Sequence, residues 1–203
     1  MVKKKANTEK VIEYFKKKYP SVKCSLSYQD DLQLLVAVML SAQCTDERVN
    51  IVTKNLLKKY KNAKDFAETT IQDLEKAIYS TGFYKNKAKN IKSSAQLLLD
   101  KYRGVLPKTI NEMVKLPGVG RKTANVVLGN AFGIVEGIAV DTHVKRLSQK
   151  YGFSKSTNPV QIEKDLMKIF PKKDWFKLIY LLIEHGRNIR KTKNDFISSL
   201  NLY

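Results

Sequence analysis

Two side chains in this sequence, Lys122 and Asp141, have the types and surroundings that covalent chemistry on a sugar requires. Lys122 lies on the first turn of a predicted helix, and Asp141 begins another predicted helix 19 positions later. An unprotonated amine is a nucleophile that can attack a sugar carbon and form a Schiff base. A carboxylate can stabilise positive charge that develops on the sugar and can help to activate the amine. The pair predicts nucleophilic catalysis if the fold brings the two groups together.

Lys122 must be neutral to react, and its predicted position favours the free amine. The N-terminus of a helix, the adjacent Arg121 and partial burial all oppose a further positive charge there. The simpler interpretation is one solvated lysine among 32. For Asp141 the simpler interpretation is an N-cap for a helix from Thr142 to Lys150. Capping is compatible with catalysis, because a cap holds the carboxylate still.

The residues before the lysine predict two helices joined by a tight reversal. Thr109 can cap a first helix from Ile110 to Lys115, and Pro117 ends it. Gly118 and Gly120 can adopt the positive φ angles that such a reversal needs. A second helix is predicted over residues 121–132, followed by a glycine suited to its C-terminal end.

The backbone N–H groups of this hairpin predict an anion site. They have no partner within the helix and lie beside the positive end of its dipole. For so basic a chain, the expected anion is a nucleic-acid phosphate. A plain helix–helix turn is the alternative. A nucleotide-binding P-loop is excluded, because it needs glycine and lysine in direct succession after a strand, whereas Arg121 separates Gly120 from Lys122 here.

The overall charge of the chain favours a polyanionic partner. The 203 residues carry a formal net charge of +19 and have a pI near 9.8. Such an excess steers association with nucleic acid. The alternative is a general bias towards lysine, since 32 of the 38 basic residues are lysines and only 6 are arginines. Few arginines also fit a protein that grips phosphate rather than reading bases.

The composition argues against several other classes of protein. Two cysteines make no disulfide framework, and two histidines give no zinc-binding spacing. The N-terminal lysines precede an amphipathic segment rather than the apolar core of a signal peptide, and no apolar run reaches the length of a membrane span. We therefore expect a reducing, cytoplasmic location without membrane association.

Apolar residues recur at helical spacing along most of the chain, which predicts an all-α fold. The one β-branched stretch, residues 134–140, is interrupted by Gly137. Helices are predicted over residues 8–19, 31–41, 47–60, 70–80, 86–102, 110–115, 121–132, 142–150, 159–170 and 175–187, with Asp46 as the cap of the third.

An aromatic residue and several lysines form a cluster at one predicted helix start. Phe83 is followed by Lys85, Lys87 and Lys89. An exposed aromatic ring can insert into stacked bases while lysines hold the nucleic-acid backbone. The alternative is that Phe83 belongs to the core and that the lysines form a solvated face.

Together with residues 40–46, 82–88 and 185–187, the hairpin and Asp141 resemble the endonuclease III family of helix-hairpin-helix DNA glycosylases. The resemblance covers roughly residues 27–187. It implies a bifunctional DNA glycosylase and abasic-site lyase that removes oxidised pyrimidines from damaged double-stranded DNA and cleaves the strand by β-elimination. It also implies a monomer.

The resemblance assigns roles by position. It implies that Lys122 is the nucleophile and Asp141 the catalytic aspartate. Gln43 and Phe83 correspond to residues that fill the gap and wedge the duplex after the target base is flipped out; leucine is common at the latter position. The other residues implied to contact DNA are Lys85, Gly118, Gly120, Arg121, Thr123 and His143. The backbone carbonyls of Val114, Leu116 and Val119 correspond to a site for Na⁺ or K⁺, although some members carry an acid at the first of these positions.

The resemblance also implies an architecture. A six-helix barrel over residues 25–133 contains the helix-hairpin-helix at about 109–132. Residues 1–24 and 134–203 form a second helical domain, and the cleft between the domains separates Lys122 from Asp141. His185 and Arg187 are interpreted as structural residues.

The sequence departs from the family pattern at its C-terminal end. Family members usually carry four cysteines after the His-Gly-Arg motif, which bind a [4Fe–4S] cluster. Residues 188–203 contain no cysteine, and the only two in the sequence are Cys24 and Cys44. Because cluster binding normally needs four thiolates, we predict that no iron–sulfur cluster is bound and that no other cofactor is required.

Other functions remain to be weighed against this one. The related adenine glycosylases lack the hairpin lysine and carry a glutamate on the helix that corresponds to residues 31–41, where this chain has no matching carboxylate. An enzyme with only abasic-site lyase activity is an alternative. A DNA-binding protein without catalytic activity is another, but it would require neither Lys122 nor Asp141.

Overall fold

The computed structural model describes the backbone of residues 2–192 and the side chains of residues 8–189. Regular structure within this part of the chain is helical, and no strand occurs in it, so the predicted all-α class is confirmed. The helices are α1 Val2–Lys18, α2 Asp31–Leu40, α3 Asp46–Lys59, α4 Ala63–Glu68, α5 Ile71–Ile78, α6 Tyr84–Tyr102, α7 Ile110–Met113, α8 Arg121–Phe132, α9 Thr142–Lys150, α10 Pro159–Ile169 and α11 Trp175–Thr192. Two 3₁₀ turns lie at Tyr79–Thr81 and Lys172–Asp174.

Contacts divide the chain into two compact units. One is Ser25–Ile134, which holds α2 to α8. The other combines Met1–Cys24 with Val135–Tyr203 and holds α1 and α9 to α11. The family resemblance implied a division into residues 25–133 and residues 1–24 with 134–203. Among the described residues, no helix combines the length and the apolar character needed to span a bilayer.

The first unit is built around α2. Its residues from Leu34 to Leu40 are all buried, as expected for a helix that is apolar on every side. It packs against α8, α3 and α6, while α6 also packs against α4 and α5. Burying each leucine side chain contributes roughly 1.5–3 kcal/mol. The helix therefore anchors the elements that carry the hairpin.

The second unit is built around α11, which packs against α9 and α1. His185 of α11 is completely buried in its core. One ring nitrogen lies 3.0 Å from the Tyr19 hydroxyl and the other 2.9 Å from the Tyr151 hydroxyl. The ring also lies 4.9 Å from the Phe15 ring, measured between centroids. These contacts agree with the interpretation of His185 as a structural residue.

Several helix ends differ from the prediction. Thr45, not Asp46, caps α3: its hydroxyl accepts the Arg48 N–H, and the Asp46 carboxylate accepts the Ser25 hydroxyl at 2.5 Å. The first hairpin helix ends at Met113 rather than Lys115, because the next residues tighten into turns closed by bonds such as Lys115 N–H to the Glu112 carbonyl.

Two differences concern whole segments. The helix Ala63–Glu68 was not predicted, since six residues are too few to show a helical period, although Asn62 caps it. The last described helix continues to Thr192 instead of ending at Arg187. By contrast, both ends of α9 lie where the sequence predicted them.

Candidate functional site

The hairpin reverses at Gly118, which needs to be glycine for two reasons. Its φ is 78°, a left-handed conformation that other residues adopt at a cost of roughly 1–2 kcal/mol. A Cβ atom there would also lie 2.7–2.9 Å from the side chain of Asn90 on α6. The Ser94 hydroxyl, on the same helix, donates to the Pro117 carbonyl at 2.8 Å. The hairpin is therefore held against α6 by a close glycine contact and a hydrogen bond.

Gly120 does not adopt the expected positive φ. It is the N-cap of α8, with extended angles of −85° and 173° that any residue can adopt. A Cβ atom there would meet no atom within 4 Å, and no side chain caps the helix at this position. The glycine leaves open space in front of the first turn of α8 instead of enabling the reversal.

Lys122 lies on that first turn and is exposed, as is Arg121, while Thr123 is half-buried. The expected partial burial of Lys122 is therefore wrong for the protein without DNA. Its position on the first turn of the second hairpin helix is as predicted.

Asp141 is the N-cap of α9, as predicted. Its Oδ1 accepts the Val144 N–H at 2.8 Å, and the residue is half-buried. His143, on the first turn of the same helix, is half-buried beside Gly186 of α11: a Cβ atom on that glycine would lie 2.8 Å from the imidazole Nδ1. The cap fixes the orientation of the Asp141 carboxylate, whereas the glycine makes room for the His143 ring.

Gln43 and Phe83 share an unusual backbone conformation. Their φ angles are 53° and 49°, and Arg103 is the other non-glycine residue with a positive φ in the described part of the chain. Gln43 is exposed, and Phe83 is 62% exposed. The alternative that Phe83 is a core residue is therefore wrong. Both residues present their side chains from strained positions on the surface of the first unit.

The three lysines after Phe83 do not share one environment. Lys85 and Lys89 are exposed, but Lys87 is only 6% exposed. Its Nζ donates to the carbonyls of Leu40 and Thr81, at 2.8 Å each. Burial lowers the pKa of this ammonium group. Neither proposed role, DNA contact or solvated face, applies to Lys87, because its helix phase points the side chain into the protein.

No direct signal in the sequence pointed to the roles of Lys87, Asn90 or Ser94. Helical spacing places Lys87, Ser94 and Leu98 on the buried face of α6, but a lysine on such a face is normally assigned to the surface. The hairpin also contains a cluster that sequence reasoning missed. Glu112 on α7 accepts hydrogen bonds from Lys115 and Tyr102, both at 2.5 Å, and these lower the pKa of its carboxyl to about 2.

The three carbonyls expected to bind a monovalent cation all belong to the hairpin. The Leu116 carbonyl accepts the Val119 N–H at 3.0 Å, and a carbonyl oxygen keeps a second lone pair for a cation. Val114 is 41% exposed, whereas Leu116 and Val119 are buried. Oxygen donors of this kind suit hard cations.

The residues present do not fit an iron–sulfur cluster. Cys24 and Cys44 are half-buried, form no disulfide with each other, and belong to different units. Where the family places its first cluster cysteine, α11 continues as helix through residues 188–192. Within the described chain, no group of three or more His, Cys, Asp or Glu side chains could hold a metal ion.

Comparison with known proteins identifies the family. A family model described as HhH-GPD superfamily base excision DNA repair protein matches residues 36–172. Endonuclease III of Synechocystis sp. is 50% identical over 189 residues, which are 93% of this chain and 86% of that protein. Endonuclease III of Bacillus subtilis is 47% identical over 170 residues, 83% of this chain and 77% of that protein.

Solved structures give the same result. A trapped endonuclease III–DNA covalent intermediate is 43% identical, with a TM-score of 0.88, and the match covers 94% of this chain and 89% of that one. A thermostable thymine-DNA glycosylase, at 18% identity and a TM-score of 0.82, shares the fold. Sequence and structure agree over nearly the whole chain, which therefore belongs to the endonuclease III family of the HhH-GPD superfamily of base excision DNA repair proteins.

Proposed function

We propose that this chain removes oxidised pyrimidines from duplex DNA and then cleaves the strand at the resulting abasic site, using Lys122 as the nucleophile. Its family is one of bifunctional glycosylases and abasic-site lyases in base excision repair. One observation carries the proposal for this residue. Lys122 is exposed on the first turn of α8, directly after the hairpin, in a chain 43% identical to an endonuclease III trapped as a covalent DNA intermediate.

In the proposed reaction, the neutral Nζ of Lys122 attacks C1′ of the flipped nucleotide. The C1′–N bond to the damaged base breaks, and the base leaves with a proton. Opening of the sugar ring gives a Schiff base between the lysine and C1′. Loss of a proton from C2′ then expels the phosphate at C3′ and cuts the strand, and water hydrolyses the Schiff base to restore the amine.

The N-terminus of α8 supports the binding of a DNA phosphate. Gly120 leaves the space in front of the helix open, and no side chain occupies the cap position. The first-turn N–H groups and the helix dipole favour an anion there. Arg121, Thr123 and Lys85 add polar or basic groups, and the net charge of +19 strengthens association with the backbone. The bound DNA would also exclude water from Lys122.

We propose three further roles on the same grounds. Asp141 stabilises the positive charge that develops on the sugar, since the cap bond to Val144 holds its carboxylate in one orientation. Gln43 and Phe83 enter the space that the flipped nucleotide leaves, and their exposure supports this role. His143 is kept as a DNA contact from the first turn of α9.

The remaining parts of the proposal concern ions, assembly and location. The hairpin carbonyls of Val114, Leu116 and Val119 would hold Na⁺ or K⁺. No iron–sulfur cluster would be bound, because the 203 residues hold two cysteines and a cluster needs four thiolates. We further propose a monomer that works in the cytoplasm. Iron analysis of the purified protein tests whether an iron–sulfur cluster is bound, and four iron atoms per chain would contradict this part of the proposal.

The test of the nucleophile is borohydride trapping on a duplex that carries thymine glycol. Borohydride reduces the Schiff base to a stable amine, so the wild-type protein should give a covalent DNA adduct. The Lys122→Gln variant should give none while it still binds the duplex. Lys76→Gln, which changes an exposed lysine on α5, should trap like the wild type. An adduct that persists in Lys122→Gln would show that another amine attacks.

The same assay separates the alternative functions. A set of duplexes with thymine glycol, dihydrouracil, a preformed abasic site, or adenine opposite 8-oxoguanine distinguishes them by which strands are cut. Cleavage of the abasic duplex alone would indicate a lyase without glycosylase activity. Salt-sensitive binding without any cleavage would indicate a DNA-binding module.

A further inference from the structure

We propose that Lys87 is a positioning residue, and that its buried ammonium group holds in place the two loops that carry Gln43 and Phe83. Its Nζ donates one hydrogen bond to the backbone shortly before Gln43 and another to the backbone shortly before Phe83. This inference rests on the insertion roles proposed for those two residues, and the experiments below separate the failure of one from the failure of the other.

The geometry of the contact links two segments that are distant in sequence. Lys87 Nζ lies 2.8 Å from the Leu40 carbonyl oxygen and 2.8 Å from the Thr81 carbonyl oxygen. Leu40 is the last residue of α2, and Thr81 is the last residue of the 3₁₀ turn. Leu40, Thr81 and Lys87 are all buried. One side chain therefore fixes the distance between the two chain segments.

Each carbonyl lies two or three residues before a residue that is proposed to insert into DNA. Leu40 precedes Gln43 by three residues, and Thr81 precedes Phe83 by two. Both inserting residues have positive φ angles, which persist only where the surrounding structure determines them. In both segments, the strained residue follows within three residues of the carbonyl that Lys87 bonds. The orientation of both side chains therefore depends on the same anchor.

The chemistry of the anchor suits a positive charge. The last carbonyls of a helix have no partner within it and lie at the negative end of its dipole. At the end of α2, the Ala37 carbonyl accepts the Ser41 N–H and the Val38 carbonyl accepts the Ser41 hydroxyl. The Leu40 carbonyl is bonded by Lys87 instead. At the second segment, the Thr81 hydroxyl bonds the Ile78 carbonyl, and the Thr81 carbonyl again accepts from Lys87.

A second lysine on the same helix provides a matched control. Lys92 also donates to two backbone carbonyls, those of Ala67 and Thr69, at the end of α4. No residue with a proposed DNA contact lies on that segment. Removal of either ammonium group should therefore disturb local stability, but only removal of the Lys87 group should disturb insertion.

The experiment compares Lys87→Met with Lys92→Met on two DNA substrates. The first is a thymine glycol duplex with 2-aminopurine beside the lesion, which reports unstacking by its fluorescence and glycosylase activity by single-turnover cleavage. The second is a single-stranded abasic oligonucleotide, which needs no insertion and reports Lys122 through borohydride trapping. Each variant is normalised to the wild type on the same substrate.

We expect Lys87→Met to lose the fluorescence change and roughly 10- to 100-fold of the single-turnover rate, the scale on which small misplacements act. Its trapping on the single strand should stay within about twofold of the wild type. Lys92→Met should match the wild type on both substrates. In a background with Gln43→Ala and Phe83→Ala, Lys87→Met should have no further effect, because residues that act as a unit are not additive.

Three results would overturn the inference. Equal losses in Lys87→Met and Lys92→Met would indicate a general effect of stability. A full additional loss in the Gln43→Ala and Phe83→Ala background would show that Lys87 acts through other residues. If Gln43→Ala and Phe83→Ala cleave and unstack like the wild type, the insertion roles are wrong and the positioning role falls with them. If Lys87→Met does not fold, Lys87→Gln keeps a shorter amide donor and should show the same pattern.

Discussion

The N-termini of α8 and α9 differ in whether the protein itself supplies a negative charge there. Both helix N-termini favour negative charge. In α9 the chain supplies it, since the Asp141 carboxylate caps the helix and is half-buried. In α8 the cap position is Gly120, no side chain bonds the first turn, and the next residues are Arg121 and Lys122. Basic residues at the positive end of a helix dipole are unfavourable unless an external anion binds there.

The missing side-chain cap of α8 is unusual among the helices of this protein. Cap side chains also bond the first turns of α2, α3, α4, α5, α7 and α10. The starts of α6 and α8 depart from this pattern, because no side chain caps either helix. The first begins directly after Phe83, and the second carries Lys122, the proposed nucleophile. Local rules are broken most often at functional sites, and at α8 we propose that a phosphate of the substrate takes the place of the missing capping group.

The largest expected effect separates the charge of the α9 cap from its hydrogen bond. Asparagine caps helices about as well as aspartate, so Asp141→Asn should leave the melting temperature nearly unchanged. The single-turnover rate should fall by roughly 10²- to 10⁴-fold, because the carboxylate no longer stabilises positive charge on the sugar. Kinetics on the thymine glycol duplex and thermal unfolding measure the two effects. A rate within threefold of the wild type would leave Asp141 as a cap alone.

The second prediction gives α8 the cap that it lacks. Gly120 has N-cap angles and open space at its Cβ position, so Gly120→Asp should stabilise the protein slightly, by roughly a few tenths of a kcal/mol. The same carboxylate should repel the DNA phosphate and weaken duplex binding. Urea unfolding and binding titrations at fixed salt provide the measurements.

Gly118→Ala is the matched control for that substitution. Its positive φ and its contact with Asn90 should make the variant less stable by roughly 1–3 kcal/mol. The two hairpin glycines should thus change stability in opposite directions. Tight DNA binding by a stabilised Gly120→Asp variant would refute the phosphate site at α8.

The smallest effect concerns Glu112 in the first turn of α7, the first helix of the hairpin. The hydrogen bonds from Lys115 and Tyr102 lower the pKa of Glu112 from 4.5 to about 2. A depressed carboxyl pKa stabilises the folded state above the unfolded value, and this contribution is lost as the pH falls from 4.5 towards 2. The loss should be small, since exposed pairs are screened by solvent. Melting temperatures across this range should fall less steeply for Glu112→Gln, and identical slopes would contradict the assignment.

The sequence reached furthest where the controlling interactions are local. Caps, glycine stops and apolar spacing are set within a few residues, which is why both ends of α9 and the C-terminal glycine of α8 were predicted correctly. The hairpin motif is equally local, and with Asp141 it led to the correct family. The short helix α4 was not predicted from the sequence, because its six residues show no helical period and the helix packs against the distant α6.

What the sequence determined by itself is the all-α class and the family, since these follow from residue types and short spacings, and the same spacings predict Lys122 and Asp141 as the side chains for the reaction. Only the tertiary structure decided the environment of each lysine. Lys122 was expected to be partly buried and is exposed, whereas Lys87 was expected at the surface and is buried between two carbonyls. Burial depends on which distant segments pack over a side chain, and no local pattern in the chain records that.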